Sequence, residues 1–417
     1  MSDTCSKTSH KTNPEISQKI EGEYINYIYV NSELVKLVEQ KLRKTSNRLD
    51  FTFHYLYICH VIGELQHSHK KFKDREYANI HYKTITSVVS KYKYTKIIAN
   101  LKNWGVIACN NTYQPGKESK GYKLLPPYNR PDKRVKINDN KLNMKLSEFK
   151  MKSQKELNKL PQVYNDLEIR NSWIKLDYKT STTYNNAFYF TQSDTYNSNL
   201  YSISAYRDGN YRFLVDKSNR IHTNLTNLKS DLRRFLSVQG EKLGQVDITN
   251  SQPLFLYLII KDKTEIPQDE KETYRELVEN GKFYEYFLEK LNLTSDKRDE
   301  VKEMTYKYIF YGETPTYENT CFNIFREDFP NIVNFIADVK KSDYKQLAFL
   351  LQKAESTFVI EKVASEFIRR NETTTEFMGT IHDSIVVKAS KLDQAVQVMK
   401  ECFHQEGINP LLKHGLF

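Results

Sequence analysis

Two strand-prone runs, each carrying an aspartate at its edge, constrain this chain most: Val246-Asp247-Ile248-Thr249-Asn250-Ser251-Gln252-Pro253 and Ile381-His382-Asp383-Ser384-Ile385-Val386-Val387. A carboxylate beside apolar neighbours is costly to bury without a partner. If the two runs are neighbouring strands, the 136 positions separating the aspartates must leave the sheet and return, which leaves room for a large helical insertion. Singly, an aspartate at a strand end is more often a cap or a turn residue. As a pair drawn from distant segments, two carboxylates are what two divalent cations need. Such ions sit about 3.5–4 Å apart and clamp the attacking and leaving oxygens of a phosphoryl transfer.

A chain of 417 residues is too long for one ordinary core and predicts two or three domains. Its apolar content of 39% argues against general disorder, and its net charge of +11 makes nucleic acid the leading partner class. Most of the 29 tyrosines are expected in core and interface positions. The five cysteines, Cys5, Cys59, Cys109, Cys321 and Cys402, form no CxxC pair, which predicts reduced thiols and no zinc site. No apolar signal core opens the chain, and the run Leu254–Ile260 is far too short for a bilayer. A soluble, cytoplasmic protein without membrane partners is expected.

Residues 1–22 read as a polar tail, and 23–128 as a compact unit that is helical first and then hairpin-like. Helical segments are expected at Val35–Leu42, at Phe51–Leu65 and, as a pair around a polar turn, at Ile85–Trp104. Strand-like arms at 105–109 and 121–125 flank a turn-rich segment. This succession resembles the winged-helix domains of replication initiators, in which one helix enters the major groove and the wing touches phosphate. The resemblance implies a reading helix near Tyr94–Asn103 with Lys93 and Lys96 at its start, and Lys117 and Lys120 on the wing. A small α+β domain with a solvated lysine face is the alternative.

Residues 129–210 read as a linker and a thumb-like or connecting region, within which 161–210 have no clear period. From 211 onward a strand, a basic segment, a strand ending at Asp247 and a helix opened by Pro253 are expected. Charged helices should fill the stretch to 341, and a long amphipathic helix should run from Tyr344 to Arg370. A hairpin with His382-Asp383 at its apex, a helix at Leu392–Glu406 and a short tail complete the expectation.

Between the aspartates, Arg298 and Lys302 stand four apart on an expected helix whose face continues through Tyr306 and Phe310 and ends at Tyr311-Gly312. Such a face can offer two cations to phosphates and rings to a base pair, or can be a solvated face that merges into a core stripe. In this order the elements resemble the core shared by family A DNA polymerases and single-subunit, phage-type RNA polymerases. Asp247-x-x-x-x-Gln252 resembles the first palm motif, Arg298 through Gly312 the fingers helix, and His382-Asp383-Ser384 the second palm motif. Arg220-Ile221-His222-Thr223 resembles the segment that contacts primer–template, and Gln352 the glutamine that reads the minor groove.

The resemblance covers residues 211–417, with fingers at about 262–341. It implies an α+β multi-domain chain: a winged-helix-like domain, then a polymerase palm built on an antiparallel sheet, with helical fingers. The implied function is a template-directed DNA polymerase without 3′–5′ exonuclease, acting in replication on a DNA primer–template and dNTPs. Asp247 and Asp383 would hold two Mg²⁺, with Mn²⁺ as a substitute, and Lys302 would stabilise phosphate charge. Arg298, Tyr306, Phe310, Tyr311 and Gln252 would bind the nucleotide, while Arg220, Gln352 and His382 would contact nucleic acid. Two departures stand out. The family's fingers helix usually reaches Tyr-Gly one residue sooner after the lysine, so Phe310 and Tyr311 both remain candidates for the base-pair ring. Glutamate is usual in the DNA enzymes where Gln252 and Ser384 stand, which keeps NTPs open as substrates. A single-subunit RNA polymerase or primase, and a non-catalytic DNA-binding replication initiator, are the alternatives.

Overall fold

The computed structural model describes residues 26–46, 51–68, 77–114, 119–313, 319–371 and 375–417. The tail expected at 1–22 and Lys117 on the expected wing lie outside them. The chain divides into two compact units, Met1–Lys155 and Glu156–Phe417.

The N-terminal unit comprises β1 (Tyr27–Val30), α1 (Ser32–Ser46), α2 (Thr52–Ser68), β2 (Ala78–Asn79), α3 (Tyr82–Thr86) and α4 (Lys91–Asn103). It continues with β3 (Ile107–Cys109), β4 (Gly121–Leu124), β5 (Lys133–Lys136) and most of α5 (Asn140–Leu157). Ser90 starts α4 as an N-cap by accepting from the Lys93 amide at 3.4 Å. The apolar composition of α2 follows from its position: Tyr55, Leu56, Ile58, Cys59 and Ile62 are all buried. Three antiparallel strands in the order β2-β4-β3 cover this core. β5 pairs with β1, Val135 opposite Ile28. Residues 129–210 therefore do not act as one connecting piece. Their first part closes this unit, and 156–210 belong to the next.

The second unit opens with α6 (Gln162–Asn171), β6 (Lys175–Leu176), α7 (Tyr178–Tyr189), α8 (Ser193–Arg207), β7 (Phe213–Val215), β8 (Ile221–Thr223) and α9 (Asn224–Asn227). There follow β9 (Leu236–Val238), β10 (Glu241–Ile248) and the helices α10 (Ser251–Ile260), α11 (Gln268–Glu279), α12 (Phe283–Lys290) and α13 (Arg298–Thr305). Next come α14 (Thr320–Asp328), α15 (Pro330–Lys340), α16 (Lys345–Ser356) and α17 (Ser365–Asn371), the last two joined by a π-helical stretch, Thr357–Ala364. β11 (Met378–Ile381), β12 (Ser384–Lys388), α18 (Leu392–His404) and β13 (Leu412–Leu416) end the chain. No helix among the described residues is long and apolar enough to cross a membrane.

The main sheet runs β11-β12-β10-β9-β6, all antiparallel, and β13 also pairs with β10. The segment expected as a tail is thus a strand, held along β10 from Gly244 to Ile248. Gly244 allows this contact, since a Cβ there would sit 2.9 Å from the Gly415 carbonyl oxygen. Alternation along the strands sorts the two faces. Val246, Ile248, Ile385 and Val387 enter the larger core with α10 and α18. Leu243 and Val386 enter a smaller core with Leu225, Leu228 and Phe377. Asp247 therefore points away from the α10 side. α10 itself is buried nearly all round, as its uniformly apolar run from Leu254 requires.

Candidate active site

The two aspartates meet because β10 and β12 are neighbours. Asp247 lies directly opposite Ser384, and Asp383 is the residue before it, in the two-residue turn between β11 and β12. His382 takes the left-handed conformation that turns the chain there, with φ 53°. Opposed Cα atoms in an antiparallel pair lie about 4.5–5.5 Å apart, so two acidic side chains from distant segments share one sheet end. Both are half-buried. Burial pushes the Asp247 carboxyl up against the opposing charges of Lys413 and Lys302, with Glu355 adding to the rise. Asp383 is also pushed up, by burial first and then by the negative charges of Glu355 and Asp247.

Chain direction after β10 is set by Asn250, which adopts φ 56° and starts α10. Ser251 and Gln252 thereby open the helix directly beside the sheet end. Gln252 does not project into open space: it is 2% exposed, and its Nε2 donates to Glu355. The Glu355 carboxylate, on α16, also accepts from Ser251 Oγ at 2.6 Å and from the Arg220 guanidinium. Arg220 stands just ahead of β8, so three donors from two separate segments converge on one carboxylate. Gln352, one helical turn earlier on α16, hydrogen-bonds the Tyr311 hydroxyl.

α13 supplies the cations. The Arg298 Nε donates to Glu285 at 2.6 Å, and its guanidinium lies over the Tyr284 ring, 5.0 Å from the centroid. Lys302 is exposed, with its Nζ 5.9 Å from the Tyr306 ring centroid. After Thr305 the helix widens into a π-helical turn, Tyr306–Tyr311. A π turn accommodates one extra residue and so rotates the later side chains about the helix axis. The consequence separates the two candidate rings. Phe310 is not available to a ligand: it is fully buried, 5.9 Å from Phe283 in the core. Tyr311 is half-buried and stacks edge-on against Tyr306 at 5.0 Å. Lys340, pushed down to about 8 by burial, ties off this turn by donating to the carbonyls of Ile309 at 2.7 Å and Gly312 at 2.9 Å.

His382 lies 6.2 Å, ring to ring, from His222, whose Nε2 is 2.8 Å from Asp216 Oδ2. Burial opposes ionisation of Asp216, but hydrogen bonds from His222, Ser218 and Arg220 outweigh it and hold the carboxyl well below its usual range.

Sequence reasoning passed over two members of the site. Lys413, opposite Asp247 across β10 and β13, is legible only once the C-terminal segment is known to be a strand. Glu355 sits three residues beyond Gln352 but carries no motif of its own. In the N-terminal unit, Lys96 and Lys120 are exposed. Lys93 instead folds back, with its Nζ 3.3 Å from His54 Nε2 and 4.5 Å from the Phe51 ring centroid.

Among the described residues no group of three or more His, Cys, Asp or Glu side chains is placed to hold a metal ion. The donor set at the sheet end is therefore Asp247 and Asp383, because Glu355 is already engaged by Arg220, Ser251 and Gln252. Two carboxylates suit Mg²⁺ when phosphate oxygens and water complete the shell, and a cation relieves the burial and negative charge that raise both carboxyls. No protein-family model matches the chain, and no curated protein matches it. Among solved structures, the chain is similar to the "POL domain of Pol1 from M. smegmatis complex with DNA primer-template and dNTP". The likeness has 12% identity and a TM-score of 0.38, and it covers 57% of this chain and 55% of that one.

Proposed function

We propose that this protein is a template-directed nucleotidyltransferase, a DNA polymerase that uses Asp247 and Asp383 to hold two Mg²⁺. One observation carries the proposal: Asp247 and Asp383, from strands far apart in sequence, share one sheet end, and the charges of Lys302, Arg220 and Glu355 act on them there. A carboxylate pair next to cations and rings is the chemistry of in-line phosphoryl transfer, where catalysis is mostly positioning and charge stabilisation. Divalent cations bound there would lower the pKa of an attacking hydroxyl and neutralise the leaving pyrophosphate.

The chain's own groups then divide the work. Lys302 would stabilise charge on the phosphates, and Arg298, freed from Glu285, would hold the outer ones. Tyr311, backed by Tyr306 and Gln352, would stack on the nascent base pair in place of Phe310. Arg220 and His382 would bear on the primer end. In the N-terminal unit the order α2, β2, α3, α4, β3, β4 and the sheet β2-β4-β3 support a winged-helix reading, in which exposed Lys96 and Lys120 would meet DNA phosphate. Primer extension with dNTPs and Mg²⁺ tests the proposal. The wild type should extend a primer, and Asp247→Ala and Asp383→Ala should each abolish extension. Equal inactivity of all three on several templates, with dNTPs and with NTPs, would refute it.

A further inference from the structure

We infer that the exposed rings of Phe188 and Phe190, at the end of α7, form a stacking platform for single-stranded DNA. The choice of DNA over RNA rests on the polymerase reading of the same unit; the platform itself owes nothing to the aspartate pair.

Residues 178–192 hold five aromatic rings and a single charge, Lys179, with no carboxylate. Three neighbours at the helix end divide between core and surface. Tyr189 turns inward, and its hydroxyl donates to Asp231. Phe188 and Phe190 turn outward, 61% and 67% exposed. Single exposed apolar side chains are ordinary, but these two belong to a built cluster. Phe188 meets Tyr184, one helical turn earlier, with ring centroids 4.4 Å apart and planes 32° from parallel. The exposed Arg234 guanidinium lies over the Tyr184 ring, 5.5 Å from its centroid. Phe190 is steadied edge-on by Tyr196 of α8, 5.8 Å away.

The order of these groups selects the occupant. Arg234, Tyr184 and Phe188 make a ladder of cation, ring and ring, and exposed Phe188 leaves its next rung open. A nucleotide has a π face to fill that rung and a phosphate for the neighbouring cation. A duplex keeps its base faces inside its own stack, so an unpaired strand is needed to offer one. An apolar protein surface would cover the rings but desolvate the guanidinium beside them, which costs free energy unless the charge is paired. Lys179, exposed on the face of Phe190 about three turns earlier, adds a second cation for the phosphate chain.

Fluorescence anisotropy on the full chain tests this with three probes of equal length. They are a labelled strand of about 12 thymidines, an abasic strand with the same phosphates, and a duplex. Phe188→Ala and Phe190→Ala should each weaken binding of the thymidine strand about tenfold and leave the abasic strand and the duplex unchanged. Phe188→Tyr, which keeps a ring, should bind like wild type. Arg234→Ala should weaken both single strands and lower the slope of log K against log[salt] by about 0.7. A thymidine strand carrying iodouracil should crosslink under ultraviolet light to the peptide that holds Phe188 and Phe190. Thermal unfolding of the ring variants should match wild type, since neither ring is buried. Unchanged binding in both alanine variants, or equal losses on all three probes, would overturn the inference. So would tighter binding of a uridine RNA strand, or a wild-type dimer that Phe188→Ala dissolves, which gives the face to a second copy. Failure of the wild type to extend primers, with the ring-dependent binding intact, would instead overturn the polymerase reading and leave the platform standing.

Discussion

Replacing Asp383 by asparagine should stabilise the metal-free protein while destroying its activity. Asp247 and Asp383 stand at adjacent positions across β10 and β12, and burial together with neighbouring negative charge raises both carboxyls. Two like charges about 6 Å apart at an effective dielectric constant near 20 repel by about 3 kcal/mol. Both groups are half-buried, so screening reduces the recoverable part to about 1–2 kcal/mol. In a unit of this size that corresponds to a rise of about 3–6 °C in Tm. The sign depends on pH. A carboxyl whose folded pKa is raised binds more protons folded than unfolded, so it costs stability as pH rises from about 4 toward and through the folded value. The gain in Asp383→Asn should therefore vanish near pH 3.5 and be complete at alkaline pH. Thermal unfolding of both proteins across pH, with and without Mg²⁺, checks this. Mg²⁺ should stabilise the wild type and have little effect on the variant. A variant less stable than wild type at pH 8 without metal, or equal Mg²⁺ stabilisation of both, would refute the reasoning.

Three further outcomes are expected. Phe310→Ala should cost about 3–5 kcal/mol of stability as a core truncation, whereas Tyr311→Ala should barely change chemical unfolding but raise the KM for nucleotide. Gly312→Ala should cost about 1–3 kcal/mol in the same measurement, because a Cβ there would lie 2.0 Å from the Lys307 carbonyl oxygen. Lys96→Ala and Lys120→Ala should each weaken DNA binding whatever the sequence and reduce the slope of log K against log[salt] by about 1, read by fluorescence anisotropy.

The elements that carry the candidate site were legible because their signals are local. The apolar, β-prone residues on either side of His382-Asp383 predict a hairpin with that pair at its apex, and Pro253 marks the first turn of α10. Helical spacing put Arg298, Lys302 and Tyr306 on one face, and they remain together near Tyr284. The structure alone separates Phe310, buried in the core, from half-buried Tyr311. A π turn shifts every later residue around the helix axis, and nothing in the spacing of apolar residues announces it. It also decided that Lys413 belongs beside Asp247. A five-residue strand with exposed lysine and histidine reads as a tail until β10 offers it a partner. Glu355 is the clearest case. One glutamate in an amphipathic helix is indistinguishable from a solvated one. Only the packing of α16 against α10 and the residue before β8 turns it into a buried carboxylate with three donors. Local periodicity determines which elements form, whereas the long-range pairing of their side chains depends on distances that no stretch of sequence contains.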